Sequence, residues 1–304
     1  MCGIAGIASF TKSAKDFQQH LRSASSCLRQ RGPDNEGFFI DDNVALAHRR
    51  LSIIDTSAAA SQPFSDASGR YTIIYNGEFF NYRHHRSQLE SQGVSFVSES
   101  DTEVLLQLYI RKGINCLQCI NGFFAFCIYD NLEKTVFLAR DRMGVKPLIY
   151  YSDNDKFIFA SELKALMQFP IERNIDQQSL YHYFQFNYIP DPWTIYSNVN
   201  KLSPGNYLLI DLKKNSVIEE ACYYSIPETE MLDMPDYQSA QLRLKELMTD
   251  AVGLRLVSDV PLGCFLSGGI DSSVVTALAA QQVNKLNTFS IGFKDEPFFD
   301  ETSF

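Results

Sequence analysis

Cys2 directly follows the initiator methionine. Methionine is normally removed when the second residue is small, which would leave a thiol and a free α-amine on one residue. That pair is a nucleophile with its own base: an α-amine has an ordinary pKa of about 7.7–8.0 and a thiol about 8.5, so the amine can take the thiol proton without a histidine. Taken alone, a cysteine here reads more simply as a small buried side chain. A second cluster, Leu266-Ser267-Gly268-Gly269-Ile270-Asp271-Ser272-Ser273, is suited to phosphate. Its glycines expose backbone N–H groups, its serines add hydroxyl donors, and a following helix N-terminus favours anions. It lacks the Gly-Lys-Ser/Thr ending of a Walker loop. Cys116 and Cys119 have the spacing of a redox or half zinc site, but no second pair completes four ligands, so they read as structural thiols. His84 and His85, beside Arg83 and Arg86, read as a solvated helix face.

These groups need elements to position them. Residues 2–10 read as a strand, and Phe17, Leu21, Ala24 and Leu28 recur at helical spacing after it. Residues 31–37 are turn chemistry. Short β-rich runs follow at 44–47 and 71–75, helices at 81–89 and 102–111, and strands at 123–129, 135–138, 148–151 and 156–159. Many short strands with few helices between them argue for antiparallel sheets flanked by helices. Residues 211–236 are polar and acidic with Pro227 and Pro235, the composition of a connecting segment. A helix is expected over 237–257, with Leu242, Leu244, Leu247, Met248 and Leu254 on its apolar side. An apolar strand at 260–266, a helix at 271–282 and a strand at 288–293 form a parallel α/β unit, whose ligand position is the loop after the first strand.

Composition narrows the function. At 304 residues the chain has room for two domains, and 45% apolar with 21% charged residues is ordinary for a folded protein. Lys and Arg number 27 against 36 Asp and Glu, with no basic block to track a phosphate backbone, so nucleic acid is not an expected partner. No apolar stretch approaches the ~20 residues of a membrane span. The N-terminus lacks the basic region and longer apolar core of a secretory signal, so the seven cysteines read as reduced thiols and the chain as cytoplasmic.

Six segments shift the weight towards a nucleophilic Cys2. They are Cys2-Gly3-Ile4-Ala5-Gly6, Arg31-Gly32-Pro33-Asp34, His48-Arg49-Arg50-Leu51-Ser52-Ile53-Ile54-Asp55, Tyr75-Asn76-Gly77-Glu78, Ser100-Asp101 and Arg140-Asp141-Arg142-Met143-Gly144-Val145-Lys146-Pro147-Leu148. In this order they closely resemble the class II glutamine amidotransferases, N-terminal-nucleophile hydrolases, and especially the glutaminase domain of glutamine-hydrolysing asparagine synthetases. The likeness spans about residues 2–210. It implies an α+β fold, the αββα sandwich of the N-terminal-nucleophile hydrolases, followed by the beginning of an α/β parallel-sheet ATP-pyrophosphatase domain at 237–304, with 211–236 as linker.

The resemblance also implies roles. Cys2 attacks the glutamine side-chain amide, releasing ammonia from a thioester, and its α-amine protonates the leaving group. Asn76 and the Gly77 N–H stabilise the oxyanion. Arg50 holds the substrate α-carboxylate, and Asp101 with Glu78 holds the α-ammonium. Leu266 to Ser273 match the SGGxDS loop of ATP pyrophosphatases, so Ser267, Gly268, Gly269 and Ser272 are expected at the phosphates of ATP, Leu266 and Ile291 beside the nucleotide, and Asp271 as a candidate Mg²⁺ ligand. Ammonia would then attack a carboxylate activated by ATP. For aspartate the products are asparagine, AMP and pyrophosphate. Another carboxylate acceptor, such as a sugar acid, stays open, as do homodimerisation and a glutaminase-only or silent scaffold role. The residues from 237 to 304 are fewer than the ~100–200 that a doubly wound domain usually needs, so the sequence reads as part of a longer enzyme.

Overall fold

The structure, a computed structural model, describes residues 1–226 and 236–293. Two compact units divide the chain, Met1–Ile226 and Pro227–Phe304. In the first, the order is β1 (Gly3–Ser9), α1 (Gln18–Cys27), β2 (Asn35–Ile40), β3 (Val44–Arg50), β4 (Phe64–Ser65), β5 (Tyr71–Phe79), α2 (Tyr82–Ser91) and α3 (Asp101–Lys112). It continues through β6 (Gly122–Asp130), β7 (Thr135–Arg140), β8 (Ile149–Ser152), β9 (Lys156–Ala160), α4 (Leu163–Leu166), α5 (Gln177–Phe186), β10 (Val199–Lys201), β11 (Asn206–Asp211) and β12 (Ser216–Cys222).

Two antiparallel six-stranded sheets result, in the orders β10-β8-β9-β1-β3-β2 and β12-β11-β7-β6-β5-β4. Every residue of β1 is buried, because the strand is covered on both faces. Its side chains alternate accordingly. Ile4 and Ala8 join Val44, Leu46, Phe157 and Phe159 against Ile74, Cys127, Tyr129 and Leu138 of the other sheet. Ala5 and Ile7 face the opposite way, towards Leu21, Ala24 and Leu28 on and after α1 and Leu166 of α4. On the far side α3 packs on β5, with α2 against α3. The layers are therefore αββα.

Local features of this unit differ from the sequence expectation. The turn expected over 31–37 gives way at Asn35 to β2, paired with β3 from Asn35 opposite Arg50. Gly37 lies within that strand because a Cβ there would collide with the Gln62 carbonyl oxygen. Helix α5 was not anticipated. Asp176 caps it by accepting from the Ser179 N–H at 2.7 Å, but its aromatic side chains, such as Tyr181 and Phe184, are largely exposed and leave no clear apolar stripe. The linker expected from 211 is also corrected: β12 pairs antiparallel with β11, and the unit extends to Ile226. The hairpin turns where Asp211 Oδ1 accepts from the Lys213 and Lys214 N–H groups. As an edge strand with Glu219 and Glu220 exposed, β12 has the polar composition of a connector. Pro227 and Pro235 lie outside the described residues.

In the second unit α6 (Tyr237–Leu254) is capped by Asp236, which accepts from the Gln238 and Ser239 N–H groups. Then β13 (Gly263–Phe265) pairs in parallel with β14 (Asn287–Phe289), joined across α7 (Ile270–Ala280). Val252, Leu278 and Ala279 form a small core with Met248, Leu256, Cys264 and Leu286. Leu242, Leu244 and Leu247, expected on the apolar side of α6, are exposed, because the packed face of that helix runs through Met248 and Val252. The strand expected over 288–293 stops at Phe289; the next residue turns its hydroxyl to the Leu266 carbonyl, from Ser290 Oγ at 2.6 Å. No helix among the described residues is long and apolar enough to cross a membrane.

Candidate active site

Pairing of Gly3 with Arg49 places Cys2 just beyond the β1–β3 ladder, beside the chain leaving β3. The Leu51 N–H donates to Cys2 Sγ at 3.4 Å, and the thiol faces the Leu51 carbonyl at 3.7 Å. Arg31 Nε donates to the Cys2 carbonyl at 2.9 Å, with Arg31 Nη1 on Glu162 Oε1 at 2.9 Å. Gly32 allows this approach, since a Cβ there would strike the Arg49 backbone. Burial pushes the thiol pKa above its ordinary value, against the lowering effects of the Leu51 N–H, the terminal amine and Arg50. The thiol therefore needs a base to become a nucleophile at neutral pH.

Strand β5 supplies the facing wall. Asn76 is fully buried, and neither its Oδ1 nor its Nδ2 has a hydrogen-bond partner. Leaving both atoms unpaired costs free energy unless something outside the chain bonds them. Gly77 follows, where a Cβ would collide with the Phe123 carbonyl oxygen and the Tyr75 ring. His48 fixes β3 to β5 through an Nε2 contact of 3.0 Å to the Tyr75 carbonyl, which makes Nε2 the protonated nitrogen. Burial pulls its pKa down to about 3, so it stays neutral at neutral pH.

The two charged groups expected at the substrate ends behave differently. Arg50 Nη1 donates to the Ser57 carbonyl at 3.0 Å and Nη2 to the Ile54 carbonyl at 3.3 Å and to that of Asp55. These bonds use three of the five guanidinium N–H groups to hold the loop after β3. Asp101 starts α3 behind the Ser100 cap, and its Oδ2 accepts from the Phe79 N–H at 2.9 Å. Burial raises its pKa to about 6; the Phe79 bond opposes that rise and Glu78 adds to it.

Cys2, Arg50, Asn76, Gly77, Glu78 and Asp101 all line one cavity of about 60 Å³. That volume holds roughly four water molecules. Met1, Gln62 and Lys146 also line it, and sequence reasoning gave them no role. Gln62 links the wall internally: Oε1 accepts from the Tyr75 N–H at 2.6 Å, and Nε2 donates to Thr102 Oγ1 at 3.2 Å. Its signal in the sequence was nil. Lys146 stood inside a recognised motif, but only the folded loop shows where its side chain goes.

Elsewhere the solvated helix face expected around His84 and His85 holds for His84 but not for His85, whose ring stacks on Phe79. All seven cysteines are free, Cys116 is buried, and Lys112 Nζ approaches Cys119 Sγ at 3.1 Å. His84 is exposed and contacts Gln88, whereas half-buried His85 meets the Cys119 carbonyl at 3.0 Å. In the second unit, residues 266–269 join β13 to the N-terminus of α7, with Gly268 at φ +84°. The loop is tied by Ser267 Oγ to Ser272 Oγ at 3.1 Å, by Ser272 Oγ to the Gly269 carbonyl at 3.0 Å, and by the Leu266 N–H to the Phe289 carbonyl at 2.9 Å. A Cβ on Gly269 would meet nothing closer than 3.6 Å, so the cradle is open. Ile291 is exposed beyond β14. Asp271 lies in the first turn of α7, and no group of three metal-ligating side chains occurs among the described residues.

The chain is similar to known proteins over its whole length. Residues 1–224 match the glutamine amidotransferase domain family, and residues 243–304 match the asparagine synthase family. A putative glutamine-hydrolysing asparagine synthetase 2 of Methanocaldococcus jannaschii is 37% identical across 100% of this chain and 62% of its own length. Asparagine synthetase 1 of Bacillus subtilis is 36% identical across 98% of this chain and 47% of its own. The chain thus spans about half to two thirds of the length of these relatives. Among solved structures, the glutamine phosphoribosylpyrophosphate amidotransferase of B. subtilis superposes with a TM-score of 0.53 at 20% identity, over 96% of this chain and 67% of that one. That likeness, with the two antiparallel sheets between helices, makes residues 1–226 an N-terminal-nucleophile hydrolase fold. Through residues 1–224 the chain belongs to the glutamine amidotransferase domain family, and its later residues match the asparagine synthase family.

Proposed function

We propose that the first unit hydrolyses glutamine at Cys2 and that the ammonia is used to amidate a carboxylate activated by ATP, with aspartate as acceptor and asparagine as product. The observation that carries the glutaminase half is the buried, unpartnered Asn76 amide in the cavity that also contains Cys2. Removal of Met1 would free the Cys2 α-amine, which takes the thiol proton. The thiolate then attacks the substrate amide carbon, and negative charge on its oxygen is met by Asn76 Nδ2 and the Gly77 N–H. The amine returns the proton to the departing ammonia, and water cleaves the thioester to glutamate. Arg50 holds the substrate α-carboxylate with the N–H groups its loop bonds leave over. Asp101 and Glu78 hold the α-ammonium.

The second half rests on residues 266–272. The positive φ at Gly268, the open face of Gly269 and the start of an 11-residue helix suit a phosphate chain. Ser267, Gly268, Gly269 and Ser272 would hold the phosphates, with Leu266 and Ile291 beside the nucleotide. ATP supplies the adenylyl group that activates the carboxylate. Mg²⁺ would arrive on those phosphates with Asp271 as its protein ligand, since no group of three ligating side chains occurs among the described residues. Seven free thiols suit a reducing cytoplasm.

A second reading keeps the chemistry and changes the acceptor to another carboxylate, such as a sugar acid; not every relative is named an asparagine synthetase. A Gibberella zeae relative named amidase chry2 is 32% identical over 94% of this chain and 44% of its own length. Three measurements on the purified protein test these readings. Intact mass reports Met1 removal; glutamate release from glutamine, with Cys2→Ala as control, tests the glutaminase. AMP formation from ATP with aspartate or other carboxylates tests the acceptor. Undiminished glutamate release by C2A would refute the nucleophile assignment, and AMP formed only with another carboxylate would refute aspartate.

A further inference from the structure

Tyr75 is 2% exposed and lines the Cys2 cavity, yet its hydroxyl has no hydrogen-bond partner among the described residues. A buried O–H left unpaired costs free energy that a phenylalanine, with the same ring, would not incur. The backbone that carries the ring is fixed: the Tyr75 N–H donates to Gln62 Oε1 at 2.6 Å, and the Tyr75 carbonyl accepts from His48 Nε2 at 3.0 Å. Side chains alternate along β5, and Tyr71 sets its ring centroid 6.1 Å from that of Tyr109, so Tyr75 points with Tyr71 towards α3. Its ring leans along the strand in the direction of Phe79. The position that a Cβ would take on Gly77 lies 2.8 Å from Tyr75 Cζ, the carbon that bears the hydroxyl. In that direction α3 begins, where Asp101 Oδ2 accepts from the Phe79 N–H at 2.9 Å. The strand thus carries an unpaired hydroxyl past Gly77 towards the Asp101 side of the cavity.

We propose that the Tyr75 hydroxyl is a substrate-binding group that, with Asp101 and Glu78, completes the seat for the α-ammonium of glutamine. The inference rests on the glutaminase reading above and adds a residue to it. An ammonium carries three N–H donors, so one bond to each carboxylate leaves a third donor to be met. The hydroxyl meets it with a lone pair and turns its own proton to a neighbouring carboxylate, which pairs both sides of the oxygen. Burial foremost, then the charges of Asp101 and Glu78, hold the Tyr75 pKa well above its ordinary value, so the group stays a neutral hydroxyl. A neutral acceptor suits this place. A third carboxylate would raise Asp101 further, and burial has already pushed that carboxyl up to about 6. An amide without the α-ammonium leaves the hydroxyl unpaired as it is in the empty cavity, so Tyr75 favours an amino acid over a plain amide.

The test uses the Met1-free protein, confirmed by intact mass, as wild type and Y75F, with two substrates: glutamine and glutaramate, the same amide without the α-amino group. For glutamine, Y75F is expected to raise KM roughly ten- to thirtyfold with kcat changed less than about threefold. For glutaramate, the two proteins are expected to differ by less than about twofold. Y75F keeps the ring and removes an unpaired hydroxyl, so its melting temperature is expected to equal or exceed that of wild type. An equal loss with both amides overturns the proposal, because it marks a packing or oxyanion role, and so does an unchanged KM for glutamine. A lowered melting temperature overturns it too, since it marks a hydroxyl bonded within the protein. Titration calorimetry with the products glutamate and glutarate repeats the comparison without turnover: Y75F is expected to weaken glutamate roughly tenfold and leave glutarate unchanged. Wild type that binds glutamate but releases none from glutamine removes the glutaminase reading, while the calorimetry still decides the role of Tyr75. Wild type that binds neither glutamine nor glutamate overturns both.

Discussion

Arg31 Nε donates to the Cys2 carbonyl oxygen at 2.9 Å, while its Nη1 lies 2.9 Å from Glu162 Oε1. The residue ahead of β1 is thus anchored to the loop before β2 and, through Glu162, to the cap of α4. Arg31→Met is expected to lower glutamate release at least tenfold, because the thiol loses its fixed position rather than its chemistry. The stability cost should be modest, about 1–2 kcal/mol, since Glu162 keeps Lys164 at 2.8 Å. Denaturant unfolding beside a glutaminase assay separates the two effects.

Asp101 is expected to make glutamine binding depend on pH. Its carboxyl ionises only as pH rises through about 6, because burial disfavours the charge. The α-ammonium of glutamine needs the ionised form, so KM should be flat above about pH 7 and rise towards tenfold per unit below 6. Stability runs the other way: the folded group binds its proton more tightly than the unfolded one, so stability is highest below the unfolded value and falls as pH rises through the folded value, by a total on the order of 3 kcal/mol. Asp101→Asn should therefore raise thermal stability at pH 7 but not at pH 4, and remove the pH dependence of KM while weakening glutamine binding. Melting curves at the two pH values and steady-state kinetics check this.

At Gly77 space decides the outcome. A methyl group would collide with the Phe123 carbonyl oxygen of β6 and with the Tyr75 ring at 2.8 Å. Gly77→Ala should cost roughly 1–3 kcal/mol by overpacking and move the oxyanion donor, with kcat falling about a hundredfold or more. A larger fall in kcat than in substrate affinity, read from initial rates, is the expected signature.

Gly268 offers an independent test in the second unit. At φ +84° an alanine is strained, so Gly268→Ala should distort the loop between β13 and α7. Binding of Mg·ATP, measured by equilibrium dialysis, is expected to weaken at least tenfold with glutamate release unchanged. Equal binding by G268A would count against a phosphate site at this loop.

Much of the site was legible because chemistry in this fold is encoded in short segments. Cys2, Arg50, Asn76-Gly77-Glu78 and Asp101 stand in ordered motifs at strand ends and a helix cap, where a local backbone conformation fixes each side chain. The buried strands β1, β6 and β7 could be read from apolar runs alone. Strand β12 and helix α5 could not, because their exposed residues satisfy solvent rather than a pattern. The expected linker from residue 211 fails at Val217, which pairs with Ile210 and packs against the core between the sheets.

The sequence by itself singled out the residues that come to line one cavity, because residue type and local spacing are properties of one short stretch of chain. Only the tertiary structure decided how each group is charged, bonded and spent. Arg50 is tied to three carbonyls of its own loop, the carboxyl of Asp101 is raised by the layers that bury it, and Lys146 lines the same cavity as a thiol far away in sequence. Burial and electrostatic fields come from whatever packs around a group, and in this sandwich those neighbours lie on other strands, beyond the reach of any local pattern.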